Sequence, residues 1–265
     1  MFDVLADLFF KLQVSQTQEL RSAVSNACDD ARRRQHHSLT PIHLLHSLAK
    51  QEAGRELIQN CGGNVDKMIN ELDTMLDTSF KSTSETVEYR VEASQSLKKI
   101  FRQADMHSCS CGKNTVGTGD VIAEMFLDDG DESAARVLVK QGISRLDVLN
   151  YISHGISKAN MPNDAEQLEA IRIRGARLKV LLHNDDYSTM EFVVYALRTI
   201  FDKTAEDATR LMLGIHQQEL VVVGVYDYDD AIEKAKKVRA LAAKNGFPLL
   251  CSVQEEGETE LAFTP

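Results

Sequence analysis

The stretch LLHNDDYSTMEF (Leu181–Phe192) gathers His183, Asn184, Asp185, Asp186 and Glu191 against apolar neighbours, with no Lys or Arg among them. Acids and an amide so placed could ligate a metal, move a proton or hold a cation. Zinc sites usually show closely spaced ligand pairs, and two such pairs. The candidates here, His43 with His46 at i,i+3 spacing and His107, Cys109 and Cys111 in MHSCSCGKN, each lack the second pair. No metal is expected, and the plainer reading of the latter is a surface loop with two oxidisable thiols. Acid–base catalysis by Asp185, Asp186 and His216 would need acids in separate environments, whereas adjacent aspartates on one loop share theirs. No Ser or Cys nucleophile motif accompanies them. Gly112-Lys113 lacks the earlier glycine of G-x-x-x-x-G-K-[ST], so no P-loop is present and ATP hydrolysis through one is excluded. The chain is therefore read as not an enzyme, with no catalytic residue and no cofactor.

Holding a cation fits better. An ammonium group needs acceptor oxygens or nitrogens. Asn184 offers an amide oxygen, Asp185 or Asp186 a carboxylate. His216 offers a neutral ring nitrogen if its helix packs against the loop. Met190, Val193, Met212 and Ile215 lie on inner helix faces nearby. A polar corner beside an apolar hole suits the N-terminal residue of a peptide. The plainer readings stay open: methionine and valine at helical spacing are usually core, and NDD can be only a turn.

The elements that would position these residues fall into two textures. The first half is helical, with apolar residues at three- and four-residue spacing in runs such as QTQELRSAVSNACDDARRRQ. It carries a weak internal repeat. LTPIHLL (39–45) matches VGTGDVI (116–122), and Leu57, Ile58, Met68 and Leu72 match Val137, Leu138, Val148 and Ile152. DTSFKSTSETVEYRVEASQS reads as the loop between the copies. The second half alternates. LKVLLHN is a strand. Ser188 with Glu191 makes a capping box that opens a helix at about Thr189. Thr204 with Asp207 starts another helix, LVVVGVY is a strand, Asp229 or Asp230 caps a third helix ending near Gly246, and PLLCSVQ closes as a strand. The expected fold is thus two domains, an all-α double repeat followed by a small α+β domain in the order strand-helix-helix-strand-helix-strand. The expected boundaries are an extension over 1–13, the helical repeat domain over 14–157, a linker over 158–176, the α+β domain over 177–256 and a tail over 257–265.

Composition narrows the partners. A net charge of −10 argues against nucleic acid, whose binding needs cations, and suits a cationic partner. Five scattered cysteines read as a reduced, cytoplasmic chain rather than a disulfide framework. MFDVLADLFFKLQ is too short to span a bilayer and has no basic lead, so neither membrane nor signal-peptide function is expected. With Phe2, Leu5, Leu8, Phe9 and Leu12 at helical spacing, it reads as an extra amphipathic helix packed on its own domain.

KVLLHNDDYSTMEFVVYALRTIF, ATRLMLGIHQQ, VVVGVYDYDDAIEKA and FPLLCSVQEE, spanning Leu178 to Glu256, resemble the ClpS family of adaptors. The resemblance implies recognition of substrates through a destabilising N-terminal Phe, Leu, Trp or Tyr (an N-degron, the N-end rule) and regulated proteolysis by a ClpAP-type AAA+ protease. Carried over by position, Asn184, Asp186 and His216 would contact the α-amino group, with Asp185 in the same motif. Met190 would gate against β-branched residues, and Val193, Met212, Ile215 and Leu249 would line the pocket. Asp229 and Lys234 would dock on the ATPase. Ser188-Thr189 stand where the family commonly has Thr-Pro, and Ile215 where valine is common. The first half, Gln18 to Gly155 and above all ISRLDVLNYISHG, resembles the N-terminal domain of the ClpA ATPase, on which ClpS docks. A platform is thus joined to the adaptor that sits on it. The resemblance implies a deliverer of substrates, or alternatively a decoy or scaffold whose halves bind each other, in one chain or between copies, and sequester Clp components.

Overall fold

In the computed structural model of the protein, residues 4, 8, 9, 12–79, 90–128, 133–158 and 177–257 are described. Two compact units divide the chain, changing over between Ile152 and Asn160. The expected linker and C-terminal tail, and residues 80–89 of the expected inter-repeat loop, fall outside the described residues almost entirely.

The first unit is built twice over. A two-residue strand, β1 (Ser15–Gln16), leads through the N-cap Thr17 into α1 (Gln18–Arg33), and β2 (Ser38–Leu39) leads through Thr40 into α2 (Pro41–Lys50). α3 (Glu52–Asn60) and α4 (Val65–Ser79) complete the copy. The second copy repeats this with β3 (Glu92–Ala93), α5 (Gln95–Ser110), β4 (Thr115–Val116), α6 (Thr118–Met125), α7 (Ala134–Lys140) and α8 (Arg145–His154). The short strands escape a helical-periodicity reading, and they tie the copies together. β1 pairs in parallel with β4, and β2 with β3, so each ribbon takes one strand from each copy.

α2 is buried from Pro41 to Ala49 and forms the centre of the unit. Its polar residues are used locally. Thr40 N–H donates to His43 Nδ1 at 3.2 Å, and His43 Nε2 shares a hydrogen bond with His36 Nδ1 at 2.9 Å. The second copy makes the matching cap with a carboxylate: Gly117 N–H donates to Asp120 Oδ2 at 2.8 Å. His46 sits between Asp73 (2.9 Å) and Asp30 (3.5 Å), and Arg34 pairs with Asp30, Asp73 and Asp77. Of the expected N-terminal helix face, Phe2 and Leu5 lie outside the described residues. Leu8 is buried, and the Phe9 ring meets Phe101 edge-on at 5.6 Å.

The second unit contains β5 (Leu178–His183), α9 (Met190–Phe201), α10 (Ala205–Gln218), β6 (Leu220–Tyr226), α11 (Tyr228–Asn245) and β7 (Cys251–Glu255), the order expected. β5 is central and antiparallel to both neighbours, in the order β6-β5-β7. Leu178, Val180 and Leu182 alternate onto the face that joins Phe192, Leu197, Ala208, Ala235 and Val238 from the helices in one core. Three boundaries differ from expectation. The cap of α9 is Thr189, whose Oγ1 accepts from Phe192 N–H at 3.2 Å, not Ser188. Adjacent hydroxyl residues offer the same chemistry, and backbone conformation chooses between them. α11 is preceded by Asp227 at its N-cap, so Asp229 and Asp230 fall inside its first turn, where carboxylates favour the helix field. β7 starts at Cys251, leaving Pro248 to Leu250 as the approach to it. Thr204 caps α10 as expected, accepting from Asp207 N–H at 3.1 Å, and Gly246 ends α11 in the left-handed region at φ 72°.

Candidate functional site

The HNDD loop leaves β5 where the sheet register sets His183 against Leu220, the first residue of β6. One residue further, Asn184 N–H donates to Glu219 O at 2.6 Å. Glu219 joins α10 to β6 with φ 65°, an uncommon conformation for a residue that is neither Gly, Asn nor Asp. The short reversal brings the last turn of α10, which carries Ile215 and His216 with Met212 one turn further back, up to the loop that carries Asn184, Asp185 and Asp186. Gly214 serves the same approach, since a Cβ there would meet Val221 Cγ2 at 3.2 Å.

Within the loop Asp185 closes the turn that the sequence left open as the plainer reading of NDD. Its Oδ1 accepts from Tyr187 N–H at 2.8 Å and from Ser188 N–H at 2.6 Å, closing an Asx-type turn. Its Oδ2 is buried and has no hydrogen-bond partner, and the same holds for Ser188 Oγ. Buried polar groups are normally satisfied, so a bare carboxylate oxygen in a turn is unusual. Asn184 and Asp186 are half-buried, and His216 is exposed. His183 Nε2 lies 2.7 Å from Ser252 Oγ, and burial pushes this imidazole down to about 4. At neutral pH it therefore adds no positive charge beside the acids.

The apolar residues divide in two. Val193, Met212, Ile215 and Leu249 are buried and belong to one core cluster, which also holds Phe192, its ring tilted by 39° against that of Phe247 at 4.6 Å. Met190, the first residue of α9, is 49% exposed and stands outside that cluster. The arrangement offers acceptors: a loop of amide and carboxylate oxygens beside an apolar core, with the exposed thioether of Met190 at the edge. A shallow groove of about 840 Å³ also runs along α10 past Thr209, Leu213, Gln217 and Val221, and none of the expected site residues lines it.

The remaining expected residues lie apart. Asp229 is exposed on α11. Lys234 Nζ donates to Ile200 O at 2.9 Å, lies 3.6 Å from Asp230, and stands 5.3 Å from the ring centre of Tyr226 and 5.9 Å from that of Phe201. Its ammonium thus neutralises the carbonyl end of α9 from within the unit. Among the described residues no group of three or more His, Cys, Asp or Glu side chains is arranged to hold a metal ion. No described helix is long and apolar enough to cross a membrane.

Comparison with known proteins matches both halves. Residues 174–252 match the family described as ATP-dependent Clp protease adaptor protein ClpS, and residues 15–141 match the Clp repeat (R) N-terminal domain. The ClpS adapter protein of Desulfatibacillum aliphaticivorans is 48% identical over 83 residues, covering 31% of this chain and 80% of that protein. That of Acetivibrio thermocellus is 53% identical over 78 residues, covering 29% and 79%. Among solved structures, Agrobacterium tumefaciens ClpS2 bound to L-phenylalaninamide is 36% identical and covers 31% of this chain and all of that one, with a TM-score of 0.31. The N-domain of ClpV from Vibrio cholerae is 20% identical and covers 56% and 86%, with a TM-score of 0.44.

Proposed function

The chain belongs to the ClpS family of Clp protease adaptors, carried behind a Clp repeat domain, and from that premise we propose that it is a non-enzymatic adaptor that captures proteins by a free N-terminal Phe, Leu, Tyr or Trp and regulates their delivery to a ClpAP-type AAA+ protease. Asn184, Asp186 and His216 accept hydrogen bonds from the α-ammonium group. Asp185 shapes their loop through Oδ1 and adds negative charge through Oδ2. Val193, Met212, Ile215 and Leu249 receive the first side chain, and Met190 closes over it. The observation that carries this reading is the buried, unpartnered Asp185 Oδ2, a carboxylate oxygen left over in a loop tied to the helix that bears His216.

The test is fluorescence anisotropy of labelled peptides beginning with Phe or Leu, each beside its N-acetylated twin. Binding that vanishes on acetylation is expected, because the amide that replaces the ammonium loses both charge and donors. Equal binding of both forms would sink the reading.

The Clp repeat domain in the same chain supports a second reading, a decoy or scaffold in which this domain engages the adaptor half, in one chain or head to tail between copies. Degradation of a Phe-initiated reporter by a Clp protease separates the two: acceleration marks a deliverer, suppression a decoy.

A further inference from the structure

The five cysteines differ in what surrounds them. Cys28, Cys61 and Cys251 are buried, and burial pushes the thiols of Cys61 and Cys251 up to about 12. Such thiols stay protonated and inert. Cys109 and Cys111, at the C-terminal end of α5, are half-buried and not in a disulfide. Their neighbours are not alike. Cys109 Sγ faces the side-chain amide oxygen of Gln13 at 3.6 Å, which accepts a hydrogen bond but does not take the proton away. Cys111 Sγ lies 3.6 Å from His107 Nε2, one helical turn back on the same face, and 3.7 Å from Ser110 Oγ. A thiol beside an imidazole has a base to activate it.

We propose that Cys111 is a site of reversible S-thiolation, activated by His107, with a small-molecule disulfide of the glutathione type as co-substrate. His107 Nε2 takes the Cys111 proton, and the thiolate attacks one sulfur of the disulfide. The reagent's S–S bond breaks as the Cys111–S bond forms. The second half of the reagent leaves as a thiolate and recovers the proton from His107. Cys111 is oxidised and the reagent reduced, two electrons in all, and free thiol in excess reverses the step. The helix end does not oppose the transfer. Its negative pole disfavours the thiolate but favours the imidazolium of His107, the basic residue of the last turn, so the two effects offset. Residues two apart on a helix point to different sides, so Cys109 is badly placed to resolve the adduct while α5 keeps its last turn. The product on the folded chain is therefore the mixed disulfide, attached where Cys111 N–H closes the helix onto His107 O at 3.1 Å.

The full-length chain is treated with glutathione disulfide, and each cysteine's occupancy is followed by peptide mass spectrometry. Cys111 is expected to react about tenfold faster than Cys109, its built-in control of similar exposure. In His107→Gln the Cys111 rate is expected to fall to that of Cys109, and its pH dependence to steepen towards that of a plain thiol, while the Cys109 rate stays put. Equal rates for the two cysteines in the parent chain would overturn the proposal without any variant. So would an unchanged Cys111 rate in His107→Gln, with the unaltered Cys109 rate showing that the helix end is intact.

Discussion

Asp105 in the helical unit and Asp185 in the adaptor unit do the same local job with different remainders. Asp105, buried in α5, accepts from Gln13 N–H at 2.9 and 3.1 Å and from Val14 N–H at 2.9 Å, so both its oxygens are engaged. Asp185 also holds two successive backbone N–H groups, but with Oδ1 alone, and Oδ2 is left bare in a buried position. The contrast extends to one pair of histidines: His43 is used in a cap of the helical unit, while His216 stands exposed near the end of its helix. Residue type alone does not mark a site. The helical unit also leaves buried polar atoms without hydrogen-bond partners, His46 Nε2 and the hydroxyls of Ser96 and Ser108, but among these described atoms the carboxylate oxygen is that of Asp185.

The largest way to break this comparison is acid. Burial lowers the imidazole pKa of His36, His43 and His46, that of His43 to about 3. In the unfolded chain an imidazole takes up its proton near 6.5. The folded helical unit is therefore fully stabilised above that pH, and each such histidine withdraws roughly 1.4 kcal/mol per pH unit as the pH falls towards its folded value. His183, held at about 4, gives the adaptor unit a smaller loss. Hydrogen exchange read by mass spectrometry from pH 7 to 4 should show the helical unit opening first. The opposite order would mean that its histidines are not what holds it.

Asp105→Ala should cost the helical unit about 2–3 kcal/mol, because it orphans part-buried backbone donors, and leave peptide binding unchanged. Asp185→Asn keeps an acceptor for the turn but turns Oδ2 into a donor. It should melt like the parent and bind Phe-initiated peptides roughly tenfold more weakly, as expected for a charge-assisted interaction. Should Asp185→Asn instead unfold the loop and bind normally when refolded, the two aspartates would be equivalent after all.

Lys234→Met sharpens the contrast within the adaptor unit. Replacing the ammonium bonded to Ile200 O should lower thermal stability by about 1–3 kcal/mol. A variant as stable as the parent would free Lys234 for the docking role. The smallest effect concerns the start of α9. Thr189→Ala should cost ~1 kcal/mol as a lost cap, and Ser188→Ala close to nothing in denaturant melts. The reverse pattern would restore Ser188 as the cap.

Much of the fold is legible because periodicity follows from burial. Met190 to Phe201 bury Phe192, Val193, Ala196, Leu197, Ile200 and Phe201 at helical spacing, and β5 alternates onto the core. The repeat was readable because Leu39 and Val116 sit at matching places, each closing a short strand. Those strands were not, since two residues carry no period. At the site, the acids, amide and histidine stood out by type. A turn at NDD was an open reading, but that Asp185 closes it with Oδ1 and leaves Oδ2 bare was not legible, because it depends on which oxygen meets which N–H. Nor do Val193, Met212 and Ile215 differ in burial from ordinary core, so only their neighbours suggest a pocket.

The crossed ribbons of the helical unit bear on how it comes to exist at all. Ser15 lies against Thr115, and Ser38 against Glu92. These are contacts of high sequence separation in a unit otherwise made of local helical ones, and long loops must close before they form. Neither copy owns a complete ribbon: during synthesis the partner of β2 arrives with the first residues of the second copy, and that of β1 only after the next helix has been made.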